Sequence, residues 1–330
     1  MRVCVFPAPH CLRLEDHPVP DVPAGFVLVK VSVCGICGSD VAAWKGLGQK
    51  HYPYTPGHEF CGLIQEVGEH VTSTAAGERV VINPNLECGV CRFCRMGKPN
   101  LCDELKSRHE KSNGGLADYV ALDHRMVHPL PNDLPDELAT FVEPLSCALH
   151  ILDAANPQAG ERIVVFGAGS MGYLAGVALH SSGTDAVFVE PVDERRQRLS
   201  EAFGFQTVAP PDLDTLQWAE TIDVAIDCSG SVHALSQAIR VLRKAGRLVM
   251  SSLGLESQDV TCALSEVTVK ELKITGAWLN PGTFGPAIKL TRSSRGFLAR
   301  LPTEVFPLAE IRAAFDRAAS PLAPKVLVCP

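Results

Sequence analysis

The stretch IVVFGAGSMGYLAGVAL, Ile163–Leu179, decides how the chain is read. Four apolar residues, Ile163 to Phe166, have the texture of a buried strand. Gly167, Gly169 and Gly172 follow as G-x-G-x-x-G, and the run then continues as an apolar helix. Glu190 closes the next strand-like segment, AVFVEP, 23 residues beyond Gly167. Strand, glycine turn, helix and a later acidic residue form the context in which this motif binds a dinucleotide. Gly167 allows the tight turn, Gly169 lets the backbone approach a pyrophosphate, and Gly172 permits close helix–strand packing. Ser170 and Met171 open the helix whose N-terminus would receive that pyrophosphate. The competing reading is a glycine-rich packing turn.

Glu190 is the expected cofactor selector. A carboxylate there accepts hydrogen bonds from a free ribose 2′-hydroxyl and repels a 2′-phosphate, which favours NAD. Arg195 and Arg196 stand nearby and pull the other way, since a guanidinium stabilises phosphate.

Beyond this segment, strand-like and helix-like runs alternate: a helix from Asp193 to Phe203, then strands at DVAIDCSG, GRLVMSS and ELKITGAW. Such alternation implies right-handed crossovers and a parallel sheet. Before about residue 144 the runs are short, apolar and broken by Gly and Pro, as in FVLVKVSVCGI and ERVVINP, which predicts a β-rich unit. A last helix, Leu308 to Ala319, and the strand KVLV end the chain and are expected to return to the first unit. At 330 residues and 46% hydrophobic, the chain is long and apolar enough for two cores. A net charge of −7 without long like-charge blocks argues against nucleic acid or an anionic membrane as partner. The run Ile163–Leu179 is the longest apolar stretch, and it is short for a membrane span and interrupted by glycine. The N-terminus has no signal-peptide core, and thirteen clustered cysteines suit a reducing compartment, so the protein is read as cytoplasmic.

Cys88, Cys91, Cys94 and Cys102 are spaced C-x2-C-x2-C-x7-C. Four thiolates this close suit a soft tetrahedral ion, usually zinc, and close its coordination sphere, so the site reads as structural. An iron–sulfur cluster or unlinked cysteines are the other readings. Three further segments carry metal-type ligands: CGICGSD with Cys34 and Cys37, YTPGHEF with His58 and Glu59, and FVEPL with Glu143.

Taken together, these motifs resemble the zinc-dependent medium-chain dehydrogenases, in particular the polyol (sorbitol-type) branch, over essentially the whole chain. The resemblance implies a GroES-like catalytic domain at 1–143 and 284–330, with a structural-zinc lobe at about 84–104. It implies a Rossmann NAD-binding domain at 144–283. It implies two zinc ions per chain, one structural at the cysteine tetrad and one catalytic at Cys37, His58 and Glu143. Glu59 would hold the water on that ion or bind it transiently, and Ser39 would take the substrate proton. A thiolate, an imidazole and carboxylate oxygen make a partly open zinc site, in which the ion acts as a Lewis acid on an alcohol. Cys34 is left out, as a small buried residue.

The chain departs from the family at Ala42, where a relay histidine often stands; either water or His51 replaces it. Trp44 either lines the substrate cleft or covers the core. Arg108, His109 and Lys111 either read substrate hydroxyls or belong to a solvated loop. Ser252-Leu253-Gly254 and Gly276-Ala277-Trp278 match segments that flank the nicotinamide. The expected activity is interconversion of a secondary alcohol and a ketone on a polyol, cyclitol or sugar-like substrate with NAD, by a homodimer or homotetramer. The competing readings are an epimerase or lyase that uses bound NAD for internal redox, and a catalytically silent zinc-binding protein.

Overall fold

The computed structural model describes residues 1–47, 51–107, 114–210, 218–252, 264–320 and 322–330. Arg108, His109, Lys111, Leu253 and Gly254 lie outside them. The chain folds into two compact units, Met1–Glu143 with Phe284–Pro330, and Pro144–Thr283.

The second unit is built on a parallel six-stranded sheet among the described residues. Its order is Gln206–Val208, Val187–Val189, Ile163–Phe166, Ile222–Asp227, Leu242–Met250, Lys273–Gly276. Ile163–Phe166 is central, and all four of its residues are buried, as a strand covered on both faces requires. Each such side chain contributes about 1.5–3 kcal/mol relative to exposure. The strand order reverses between Ile163–Phe166 and Ile222–Asp227, and in doubly wound sheets the crevice beyond that reversal is where ligands bind. Helix Ser170–Ser181 follows the first of these strands. Helix Asp193–Phe203 follows Val187–Val189 and stops at Gly204, whose φ of 74° supplies a left-handed cap.

The first unit is β-rich. Its seven-stranded sheet runs Thr303–Pro307, Lys325–Cys329, Phe26–Gly35, Glu59–Val67, Arg79–Ile82, Val127–Pro129, with Tyr119–Asp123 also pairing on Phe26–Gly35. The last strand enters this sheet through Leu327↔Gly35 and Val328↔Cys34, so the end of the chain does return to the first unit. Helix Ile311–Ala318 buries Ile311, Ala314 and Phe315, an i, i+3, i+4 stripe, beside Phe6 and Trp44. Asn85–Leu86 and Lys106–Ser107 pair antiparallel and close the base of the cysteine lobe.

Composition alone misjudges one segment. Asp136–Ala155, rather than the glycine-interrupted run at 163, is long and apolar enough to cross a membrane. It is 67% buried, as the core helix of a folded domain is, and Glu137, Glu143 and Asp153 lie along it.

Candidate metal centre and dinucleotide site

Cys37 sits at the junction of strand Phe26–Gly35 and helix Gly38–Trp44, as the N-cap of the helix. His58 and Glu59 lie where Glu59–Val67 begins, opposite Gly35 in the register. Gly57 makes the turn before them with φ 95°, and a Cβ there would fall 2.7 Å from Cys34 Sγ, so only glycine fits. The ligand atoms of Cys37, His58 and Glu59 all lie within 4.8 Å of one another.

Asp40, which the sequence reading did not single out, ties these segments together. Its Oδ2 accepts the Cys37 N–H (3.0 Å) and its Oδ1 accepts the Gly57 N–H (3.2 Å). The same Oδ1 lies 3.6 Å from His58 Nδ1. A carboxylate behind a ligand imidazole orients the ring and leaves the other nitrogen to the metal. Burial works against charging His58, but the pull of Asp40 and Cys37 prevails and holds its imidazole well above the usual range.

Glu143 stands in the first turn of helix Val142–Ala155. It lies outside the 4.8 Å trio, yet it is buried and its carboxyl feels the charges of His58 and Glu59. Burial first, then Glu59 and Asp40, push its pKa up to about 7. Lys325, also missed in the sequence, pairs with Glu59. Cys37, Asp40, Glu59 and Glu143 thus gather four potential anions around one buried ammonium. A sulfur, an imidazole nitrogen and carboxylate oxygens beside such an excess of negative charge fit a divalent, borderline-soft ion such as zinc. Cys34 is fully buried in its strand against Gly57 and is not one of the converging donors.

Ser39 is half-buried in the first turn of helix Gly38–Trp44, and Ala42, one turn on, is buried. His51 is exposed. Trp44 is core: it packs edge-on against Phe315 at 5.8 Å, and the Arg312 guanidinium lies 5.2 Å over its ring.

In the cysteine lobe, Cys88, Cys91, Cys94 and Cys102 bring their sulfurs within 4.8 Å of one another, with Cys91–Cys94 at 3.5 Å and Cys88–Cys94 at 4.0 Å. Metal–sulfur bonds of ~2.3 Å in a tetrahedron put sulfurs ~3.8 Å apart. A single ion fits that spacing, whereas a cluster of several irons needs the sulfurs spread further. Backbone N–H groups of Cys91, Cys88 and Glu104 donate to the sulfurs of Cys88, Cys102 and Cys102. Hydrogen bonds from the backbone at Cys94 and Asp103 bring the Cys91 thiol down to about 6, within reach of the thiolate a metal needs.

In the second unit, Gly167 turns with φ 95°. A Cβ on Gly172 would fall 2.0 Å from the Gly167 oxygen, so this glycine lets the helix sit on the turn. Gly169, the N-cap of Ser170–Ser181, faces open space, with nothing within 4 Å of where its Cβ would be. Ser170 is exposed and Met171 half-buried in the first helical turn, which carries no acidic residue. Backbone N–H groups facing a roomy approach suit a pyrophosphate. Glu190 is 2% exposed and accepts the N–H of Ala168 (2.6 Å) and Val192 (3.1 Å), so it anchors the glycine turn as well as closing its strand. Arg195 lies 3.6 Å from its carboxylate, and Arg196 bonds the Glu190 carbonyl and pairs with Asp193. Asp227, another residue the sequence did not flag, accepts from Ser229 N (2.9 Å), Ser229 Oγ (2.6 Å) and Gly230 N (3.2 Å). It thereby stiffens the loop that packs on Gly167 across the switch point.

Comparison with known proteins agrees with these two units. Residues 23–132 match the alcohol dehydrogenase GroES-like domain, and residues 170–293 match the zinc-binding dehydrogenase domain. D-xylulose reductase A of Aspergillus oryzae is 31% identical over 324 residues, spanning 93% of this chain and 90% of that protein. The chain belongs to the zinc-binding alcohol dehydrogenase family. Its fold is the family's: a GroES-like β domain with a Rossmann domain. Sorbitol dehydrogenase of Halalkalibacterium halodurans is 30% identical over 328 residues, covering 96% of this chain and 95% of that one. A zinc-binding dehydrogenase from Sinorhizobium meliloti, solved bound to NADP, superposes with a TM-score of 0.91 at 27% identity and covers 100% and 99% of the two chains. The resemblance read from the motifs is therefore borne out, and the chain is an oxidoreductase of the alcohol dehydrogenase type.

Proposed function

We propose that this dehydrogenase interconverts a secondary alcohol and a ketone on a polyol, cyclitol or sugar-like substrate, with NAD as hydride carrier. The observation that carries the reading is the mutual approach of Cys37, His58 and Glu59 within 4.8 Å, with buried Glu143 beside them. Relatives named for D-xylulose and sorbitol support the polyol class. In this reading the first unit is catalytic and the second binds NAD. Zinc would be held by Cys37, His58 and Glu143, with Glu59 holding its water or binding it transiently, and a second ion by the cysteine tetrad. When bound, zinc and NAD supply a Lewis acid and a hydride acceptor. Asp40 fixes the His58 ring and the Cys37 turn. Ser39 Oγ would take the proton of the substrate hydroxyl while giving up its own hydroxyl proton. With Ala42 in place of a relay histidine, that proton would pass from Ser39 Oγ to water or to another group such as His51, which is exposed. The test is a panel of polyols, cyclitols and amino-alcohols incubated with NAD and followed by NADH absorbance. Accumulation of NADH with a polyol supports the reading, whereas product formation without it would point to internal redox.

The preference for NAD rests in this reading on Glu190, whose carboxylate would repel a 2′-phosphate and lies 3.6 Å from the Arg195 guanidinium. Glu190→Ala is expected to weaken NAD and to narrow the NAD-to-NADP ratio of kcat/KM at least tenfold, a change of ~1.4 kcal/mol. It also orphans the Ala168 N–H, at a cost of about 1–3 kcal/mol in stability. An unchanged cofactor ratio would end that role.

The partner is a small hydroxylated molecule; the net charge of −7 does not suit nucleic acid or an anionic membrane. Free cysteines among the described residues suit the cytoplasm in this reading. We further infer a homodimer or homotetramer. Lys273–Gly276 is the edge strand of its sheet with all four residues exposed, and Leu264, Val269, Ile274 and Trp278 are exposed around it in sequence. Such an edge offers backbone groups and apolar area to a second copy about a two-fold axis. The cysteine lobe exposes Val90, Met96 and Leu101 as a second surface. A monomer in sedimentation equilibrium would exclude both states.

A further inference from the structure

Ser146 stands about one turn after Glu143 in helix Val142–Ala155 and is fully buried. Two side chains from far along the chain converge on it. Asn280 Nδ2 donates to Ser146 Oγ at 2.8 Å, and Thr283 Oγ1 donates to the Ser146 carbonyl at 2.7 Å. Asn280 and Thr283 are each 5% exposed, so water has little access to either bond. A polar group shut away in this manner has no cheap alternative partner. Asn280, Thr283 and Ser146 belong to the second unit, and Glu143 is the last residue of the first. One helix therefore carries Glu143 in its first turn and, on the same side, the residue this clasp holds.

The other end of the clasp is the segment that follows strand Lys273–Gly276. It contains Ala277 and Trp278, which with Gly276 match positions that flank the nicotinamide. Ala277 N donates to the Met250 carbonyl (2.8 Å), which fixes the segment to the neighbouring strand on one side. Asn280 fixes it to Ser146 on the other, and Thr283 N closes the turn on the Asn280 carbonyl (3.4 Å). Between these anchors Leu279 is held at φ 59°, a left-handed conformation that a bulky side chain avoids. Such a conformation persists only where the surroundings over-determine it. Asn280 is one of the two anchors that do so. A ligand that orders residues 277–279 is then felt at Ser146 and, one turn back, at Glu143.

We propose that Asn280 is a positioning residue that, through Ser146, couples the nicotinamide segment 276–279 to the turn carrying Glu143, so that NAD and the catalytic ion each bind more tightly when the other is present. The inference rests on the zinc and NAD readings above. It goes beyond them by linking the two sites and by naming the bond that links them, across 134 residues of chain. The linkage is reciprocal: whatever factor the ion adds to the affinity for NAD, NAD adds to the affinity for the ion.

The test uses the cobalt-loaded full chain, with metal content, visible d–d absorption and NAD affinity as readouts. NAD affinity is measured by fluorescence with the catalytic site loaded, and again after a chelator has emptied it while the tetrad keeps its ion. Wild type takes up two ions per chain, binds NAD about tenfold more tightly in the loaded form, and shifts its d–d bands when NAD is added. Asn280→Ala brings the ratio of the two affinities below about twofold and abolishes the band shift. Ser146→Ala removes Oγ but keeps the carbonyl that Thr283 binds, and it has the same effect, so the question stays decidable should the Asn280 variant not fold. The double variant falls no further than either single one, because both remove the same bond. A clasp that only braced the fold would lower the melting temperature and both affinities while leaving their ratio at about tenfold, and that result overturns the proposal. Equal affinities in the two wild-type forms, or additive effects in the double variant, overturn it as well. A wild type that takes up only one ion, or binds no NAD, overturns the underlying reading and this inference together, whereas two ions, normal NAD binding and indifferent variants overturn the inference alone.

Discussion

Cys37→Ala is expected to abolish turnover while the fold and NAD binding survive. Cys37 supplies the sulfur of the donor trio, and its backbone N–H is one of the two that hold Asp40. Alanine keeps the N–H and removes only the thiolate, so the helix Gly38–Trp44 and its link to Gly57 should persist. What goes is one of the few ligands of an open site, and with it the ion. Loss of a Lewis acid is worth several kcal/mol of transition-state stabilisation, so kcat/KM should fall by about 10³–10⁴-fold. Total zinc should drop from two ions per chain to one, and NAD affinity measured by fluorescence should change less than about twofold, since one pK-scale unit of binding is ~1.4 kcal/mol and nothing in the second unit is altered. Activity within tenfold of wild type would remove Cys37 from the metal site.

The opposite pattern is expected at the tetrad. Cys91→Ser should also lower zinc from two ions to one, but it should cost stability first and chemistry second. The lobe holds no large apolar core: Val90, Met96 and Leu101 are exposed, and the only buried cysteine of the four is Cys102. Four sulfurs on one ion are therefore what closes the segment between Asn85–Leu86 and Lys106–Ser107. Structural zinc supplies folding free energy directly. The loss should be about 3–5 kcal/mol, or roughly 10 °C in Tm for a domain of this size. kcat per folded, catalytic-zinc-loaded chain should stay within a few-fold of wild type. A variant with unchanged melting would refute the bracing role, and one that melts normally but has lost turnover would move the tetrad into the chemistry. The two variants share a metal count and differ in every other readout, which separates the two ions.

Short-range chemistry was legible in the sequence. The spacing of Gly167, Gly169 and Gly172 names a turn, because only glycine tolerates φ 95° at the first and the 2.0 Å approach at the third. The strand–helix alternation that follows predicts the parallel sheet, because each helix carries the chain back to the end of the sheet where the previous strand began. The cysteine spacing places four sulfurs in one loop for the same local reason. Composition was a poorer guide wherever burial matters. Asp136–Ala155 passes as a membrane span on hydropathy, and packing makes it a core helix. Trp44, open to two readings in the sequence, is core because Phe315, far along the chain, closes over it.

What the sequence by itself determined is the set of motifs whose partners lie within a few residues: the glycine turn, the tetrad, the G-H-E turn and the strand–helix order. Their geometry is dictated by dihedral limits and by the reach of one loop. The tertiary structure alone decided which side chains govern those motifs. Asp40 reaches Gly57 across 17 residues, Glu190 reaches Ala168 across 22, and Lys325 reaches Glu59 across 266. Neither Asp40 nor Lys325 has a spacing to recognise, because the fold rather than chain connectivity brings them to their partners; Glu190 was legible as the acidic residue after the next strand, but its bond to the glycine turn was not. Burial then makes the contacts consequential: a carboxylate or an ammonium shut away from water must find its counter-charge in whatever the fold places beside it.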